Sequence, residues 1–364
     1  MANRPPLEAR LTAPATKAKV SVTRCHNAWY VACESKDLKR KPLKVTILGI
    51  PMVLFRSSKG EAGALLDRCP HRNVPLSIGE VDGDILRCSY HGWEFATDGS
   101  CKHLPCFTGE ADTKGHAATA YPIREQQGFI WIYANAEDAP ENDPFDIPLL
   151  DDSRYTHVYQ IVEAPGTMHA TIENALDVPH TAFLHRGLFR SAGAGNKIDV
   201  VVSRWSDRVE AQYIGEPRPE GLIGRLLSPG GGEVEHYDRF FLPSVAQVEY
   251  KIGDDSHILI TSLCTPVGDF ETKLSTIISF RLARLPEWVI GSLLKPIGKR
   301  IFKQDADMLA QQTALIERFG GEQFVSTEVD VLGGEIWRLL KAAERGDAAP
   351  NSEEPAVKRL QMEV

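Results

Sequence analysis

The chain has 364 residues, 43% hydrophobic and 25% charged, with a formal net charge of −8 and a sequence pI of about 5.8. That balance suits a globular protein of one large or two ordinary domains, and it excludes nucleic acid as the main partner, because a phosphate-tracking surface needs a basic excess. Seven cysteines without a framework pattern, and a polar start in place of a secretory leader, argue against a disulfide scaffold and set the expectation of reduced thiols in the cytoplasm.

Residues 1–25 are polar and proline-bearing and read as a flexible tail. Residues 26–136 predict a small all-β unit. LKVTILGIPMVLFRS (43–57) alternates branched and polar residues around a Gly49-Ile50-Pro51 turn, and GALLDR (63–68), DILRCSYHGWEFAT (84–97) and GFIWIYAN (128–135) are further strands. The acidic, proline-rich AEDAPENDPFDIPLLDD (136–152) places a domain boundary near residue 137. Residues 137–346 then predict an α+β domain. TIENALDVPHTAFLH (171–185) reads as helix, residues 197–214, 234–252, 256–267 and 272–283 as long antiparallel strands, and KQDADMLAQQTALIERF (303–319) as a late helix. Residues 347–364 read as a mobile tail. The most apolar run, residues 285–302, is interrupted by two prolines and several charges, so no membrane span of about 18 residues is expected.

Two loops of the β unit carry sulfur and imidazole together: Cys69-Pro70-His71 and, after sixteen intervening residues, Cys88-Ser89-Tyr90-His91. A structural zinc site pairs like with like, C-x2–4-C with H-x3–5-H. One cysteine and one histidine per loop suits instead a [2Fe–2S] cluster in which one iron takes both thiolates and the other both imidazoles, with a potential of roughly −150 to +300 mV.

In the second unit, Asn174, Asp177 and His180 are spaced three apart, on roughly one helix face. His185 lies about 140° from His180 on an ideal helix, so the two cannot share an ion unless the helix breaks, and Pro179 supplies the break. Two neutral imidazoles and one carboxylate form the facial triad of a mononuclear Fe(II) site with open positions for dioxygen and substrate. Asp305 lies on a stripe of Phe302, Met308, Leu309, Leu315, Ile316 and Phe319, where a carboxylate is costly unless paired or bound to metal, whereas Asp307 points the other way. Asp305 is therefore the expected third ligand.

CPHRNVPL and CSYHGWEF resemble the cluster loops of the Rieske non-haem iron oxygenases. N-x-x-D-x-x-H-x4-H (174–185) and KQDADML resemble the iron-binding segments of their catalytic domains, so the likeness spans nearly the whole chain. It implies a helix-grip catalytic domain and a terminal oxygenase fed from NAD(P)H through a separate reductase or ferredoxin, with electrons passing from cluster to mononuclear iron to activate O2. It further implies a homotrimer in which Asp177 links His180 to His91 of the adjacent subunit, with Asn174 nearby. A Rieske electron carrier without chemistry of its own is the contrasting class.

The motifs do not name the substrate. Phe240, Leu242, Val248, Ile260, Ile278 and Phe280 predict an apolar pocket, and residues 217–236 a Gly/Pro-rich lid. The expectation is hydroxylation or oxidative demethylation of a small apolar substrate, polycyclic or steroid-like, by monooxygenation rather than dioxygenation. The alternative is a small aromatic acid or ether of the vanillate type.

Overall fold

Alternating apolar strands joined by left-handed turns build three small sheets in the first unit. The computed structural model of the protein describes residues 19–108, 113–185, 195–217, 232–253, 256–282, 287–347 and 354–363. Strands β1 (Trp29–Glu34), β10 (Phe129–Tyr133) and β9 (Ile123–Gln126) form one sheet; β2 (Leu43–Ile47), β3 (Ile50–Arg56) and β4 (Ala62–Leu66) a second; β5 (Glu80–Asp82), β6 (Ile85–Arg87), β7 (Glu94–Phe95) and β8 (Cys101–His103) a third. The β2–β3 turn is Leu48-Gly49, with φ of 53° and 76°, a two-residue hairpin whose second position suits glycine. It falls one residue earlier than expected, and Pro51 pairs inside β3. The expected single strand 84–97 is two short strands, parted by the loop that holds Cys88 and His91.

Every residue of β10 is buried. Ile130 and Ile132 face the main core, while Phe129, Trp131 and Tyr133 pack with Val245, Leu263 and Ile277 of the second unit. The run is apolar throughout because both of its faces are covered.

The second unit is an eight-stranded antiparallel sheet in the order β11-β17-β16-β15-β14-β13-β12-β18. Its strands are β11 (Thr156–Ala164), β12 (Lys197–Arg204), β13 (Arg208–Ile214), β14 (Val234–Phe241), β15 (Val245–Ile252), β16 (Ser256–Gly268), β17 (Glu271–Leu282) and β18 (Ala356–Glu363). Helices α1 (Met168–Ala175), α2 (Thr181–Leu184), α3 (Glu287–Phe319) and α4 (Gly333–Arg345) complete it, and the sheet holds the long α3 in a helix grip. Segments 197–214 and 234–252, expected as single strands, are hairpins turning at 205–207 and 242–244.

Both expected tails need correction where they are described; residues 1–18, 348–353 and 364 lie outside the described residues. Residues 356–363 are not mobile but form β18, in register with β12 from Lys197↔Glu363 to Arg204↔Ala356. An edge strand with unpaired N–H and C=O groups is a template for such an addition, and Met362 is buried there. At the other end Val20 and Cys25 are buried, and Ser21 donates N–H and O–H to Glu322 at 2.9 and 2.6 Å, so residues 19–25 are docked. All seven cysteines are free thiols. No helix among the described residues is long and apolar enough to cross a membrane.

Candidate metal centres and the cavity between sheet and helix

The two Cys/His loops close in the same way. Cys69 N–H donates to Val74 O at 2.8 Å and Asn73 N–H to Cys69 O at 2.9 Å; Cys88 N–H donates to Trp93 O at 2.8 Å and Gly92 N–H to Cys88 O at 3.0 Å. Asn73 and Gly92 occupy the same loop position with φ of 60° and 68°. Asparagine and glycine tolerate that left-handed conformation best, and at Gly92 a Cβ would come within 3.0 Å of Pro105 Cγ.

This pairing puts both sulfurs inside and both imidazoles at the rim. Cys69 and Cys88 are buried, His71 is half-buried and His91 exposed, with the two imidazole centroids 4.5 Å apart. His71 stacks on Trp93 at 4.7 Å and 4°, and its buried Nδ1 has no hydrogen-bond partner. Burial and the adjacent Cys88 push the Cys69 thiol up to about 11, a cost that a coordinated cation reverses by taking the thiolate. Two interior sulfurs, two outer imidazoles and one orphaned ring nitrogen fit a [2Fe–2S] cluster with unlike ends.

The second donor set depends on a broken helix. Thr167 caps α1, its side chain accepting from Ala170 N–H at 3.0 Å; the helix stops at Ala175, and α2 starts only after Pro179. The break brings the two histidines together: His180 Nε2 and His185 Nε2 are 3.3 Å apart. Asp305 Oδ1, from α3, lies 3.1 Å from His185 Nε2 and 3.6 Å from His180 Nε2. That oxygen is buried yet makes no hydrogen bond, as expected of a ligand atom aimed at a cation. Asp307 is exposed and pairs with Lys303 at 2.6 Å.

The far ring nitrogens are also held. His180 Nδ1 lies 3.2 Å from Asp177 Oδ2, which also accepts from the His180 backbone N–H at 3.1 Å, and His185 Nδ1 lies 3.1 Å from Gln304 Oε1. Such partners fix the ring and its tautomer so that Nε2 faces the other donor atoms. Burial lowers the His180 pKa, but Asp177 and Asp305 outweigh it and raise the group to about 9. Burial likewise opposes ionisation of Asp305, and the two imidazoles outweigh it and lower its pKa. No role was expected for Gln304, although it stands beside Asp305 in KQDADML. Gln304→Ala is expected to weaken iron retention or turnover by roughly 10–100-fold without loss of visible colour, read by iron analysis after dialysis against a chelator.

The triad opens into a cavity of about 260 Å³ between sheet and α3. Its floor is one face of the sheet, including Val248, Tyr250, Ile258, Ile260, Leu274 and Ile278, alternate residues as strand geometry requires. Its roof is a helical stripe of Ile297, Ile301, Phe302, Asp305 and Leu309, so the second half of the apolar run 285–302 forms cavity wall. Asn174 sits on the wall, and so does Thr171, whose buried Oγ1 has no hydrogen-bond partner.

Val248, Ile260 and Ile278 stand where a pocket was expected; Phe240, Leu242 and Phe280 do not line it. Phe240 is fully buried in the main core, Leu242 packs against that core at the end of β14, and Phe280 packs with Val158 near the end of β17. Phe240 and Phe280 stand directly across from the wall residues Ala246 and Ile258 but on the neighbouring strand in each case, and Leu242 lies in the turn after β14. Most of the expected lid falls within residues 218–231, outside the described residues.

No role was expected for His236, which heads a buried polar group. Its Nδ1 is 2.5 Å from Glu216 Oε2 and its Nε2 3.0 Å from Asp238 Oδ1. The ring lies between Tyr213 and Tyr250, with centroids at 4.5 and 4.0 Å, its neighbours across β13-β14-β15. The H-x-D spacing on one strand face was the available signal.

Residues 28–120 match the Rieske [2Fe-2S] domain family and residues 166–346 the vanillate O-demethylase oxygenase C-terminal domain family. The chain is 36% identical over 360 residues to a putative toluene-4-sulfonate monooxygenase system iron-sulfur subunit, TsaM2, of Comamonas testosteroni, covering 89% of this chain and 99% of that one. It is 27% identical over 363 residues to the vanillate O-demethylase oxygenase subunit of Pseudomonas sp. strain HR199, covering 89% and 97%. The crystal structure of dicamba monooxygenase bound to 3,6-dichlorosalicylic acid superposes with a TM-score of 0.75 at 25% identity, over 90% of this chain and 100% of that one.

Proposed function

This chain belongs to the Rieske non-haem iron oxygenases, and we propose how its residues divide the work of a terminal oxygenase that carries a Rieske cluster and a mononuclear iron. Cys69, His71, Cys88 and His91 hold the cluster; His180, His185 and Asp305 hold the iron. When bound, these groups supply single electrons and the reductive activation of dioxygen for attack on substrate. Asp177 and Gln304 keep the two imidazoles turned toward the metal, and the apolar walls keep water from the reacting centre. A cluster-only electron carrier has no use for the second donor set or for the cavity beside it.

Relatives named as oxygenase components act in multi-component systems, and a separate reductase or ferredoxin is part of this reading. So are a homotrimer, in which one subunit's cluster serves the next subunit's iron, and a cytoplasmic location.

The substrate we propose is apolar and without negative charge, polycyclic or steroid-like, hydroxylated or oxidatively demethylated. One observation carries this: among the described residues no Lys or Arg lines the cavity. Three arginines of the sheet are engaged elsewhere, Arg204 on Glu335 at 2.8 Å, Arg239 between Glu210 and Glu249, and Arg281 over the Tyr155 ring at 5.9 Å. A buried anionic substrate without a cationic partner pays its desolvation uncompensated. The second reading, an aromatic acid or ether, draws on the sulfonate and vanillate named for two relatives. With nitric oxide as a spin probe on the ferrous protein, androstenedione is expected to perturb the iron signal and 4-methoxybenzoate and toluene-4-sulfonate to leave it unchanged. The reverse pattern establishes the aromatic-acid reading.

A further inference from the structure

We propose that Glu216, backed by His236 and Asp238, is a specificity-determining anchor in the cavity wall that binds a hydrogen-bond donor, a hydroxyl or ammonium group, on an otherwise apolar substrate. The inference rests on the apolar-substrate reading and narrows it to substrates that carry such a donor.

Glu216 lines the same cavity as the iron triad and is 7% exposed. A carboxylate against apolar walls is costly unless something holds it. His236 does so through Nδ1, and Asp238 holds the other side of the ring at Nε2; these two side chains are 1% and 2% exposed. The two flanking tyrosine rings fix the imidazole plane. Glu216 therefore meets the cavity in one orientation, pre-organised like a designed site.

Charge sets the chemistry. Burial opposes protonation of His236, but Asp238 and Glu216 outweigh it and raise its pKa to about 9. Two acidic side chains flank one imidazole there, so the group presents more acceptors than donors to a low-dielectric cavity whose described lining holds no Lys or Arg. A carboxylate accepts several hydrogen bonds. The wall thus repels anions and favours donors, most of all cationic ones. Tethering one end of a ligand there, with the triad at another part of the same cavity, limits which carbon reaches the iron.

A structural role alone, pinning the end of β13 to β14, would cost stability without discriminating among ligands. The test is calorimetric binding to the anaerobic ferrous holoenzyme of four ligands on one skeleton: naphthalene, 2-naphthol, 2-naphthylmethylammonium and 2-naphthoate. In the wild type the ammonium and the naphthol are expected to bind more tightly than naphthalene, by roughly 10-fold or more for the ammonium, and 2-naphthoate to bind most weakly. Glu216→Gln, which keeps shape and removes charge, should bring the ammonium to within a few-fold of naphthalene while naphthalene affinity holds. A flat or reversed order in the wild type overturns the anchor without any variant, and so does a preference that survives Glu216→Gln. If none of the four binds, the apolar-cavity reading itself fails, and the anchor with it.

Discussion

His180→Ala and Asp305→Ala are each expected to bring turnover to background while the protein keeps its colour. Wild-type protein should carry about three irons and two labile sulfides per chain, two irons in the cluster and one in the triad. Each of these variants should retain two irons and both sulfides. Two of the three donor atoms would remain at the triad, and removing His180 also leaves Asp177 and Asp305 facing each other without the imidazole that now lies between them, 3.2 Å from one and 3.6 Å from the other. Asp305 is then left with His185 alone at the site, two donors in place of three. Cys69→Ser is the converse variant: it should bleach the visible spectrum. Iron and sulfide analysis with an absorbance spectrum reads both. Colour lost with His180→Ala would exchange the two sites, and one zinc with no sulfide in the wild type would remove the enzyme reading altogether.

The donor sets were legible in the sequence where they are local. Four cluster residues fall within one stretch, 69–91, and Pro179 announces the break that lets His180 and His185 meet. Asp305 was reached through its helix face, yet that stripe was drawn too wide. Leu309 and Ile316 are buried with it, but Met308, Leu315 and Phe319 are 47%, 53% and 68% exposed. Apolar residues on a helix do not by themselves show which flank faces a sheet. What stayed hidden is non-local. The polar group at His236 needs β13 and β14 in register and a glutamate twenty residues earlier. Strand β18 needs the unpaired edge of β12, which no property of AVKRLQME announces. Phe240 and Val248 look alike as inward-facing strand residues; only which strand each stands on, β14 or β15, makes one core and the other cavity wall.

Asp177→Asn should keep both metals and the wild-type assembly state and still lose turnover by more than the roughly 10–100-fold that the loss of an orienting partner costs. Asp177 is 29% exposed at its side chain, and its Oδ2 serves both His180 Nδ1 and the His180 backbone N–H. Asparagine keeps one acceptor oxygen, enough to preserve the turn that sets His180; losing a single hydrogen bond there would cost only about 0.5–1.5 kcal/mol. Its other terminal atom becomes an N–H donor, which cannot accept from a protonated imidazole nitrogen. If Asp177 joins His180 to His91 of a neighbouring subunit, the substitution cuts the contact through which electrons reach the mononuclear iron. Asp177→Ala should be no better, since it removes both acceptors. The measurement is a single turnover: fully reduced protein is mixed with oxygen and substrate, and cluster absorbance is followed. In Asp177→Asn, reoxidation of the cluster should slow drastically while all the irons remain countable and sedimentation still reports the wild-type assembly. Reoxidation at the wild-type rate would mean that Asp177 only orients His180, and that the path from cluster to iron, and with it the case for a trimer, runs through other residues.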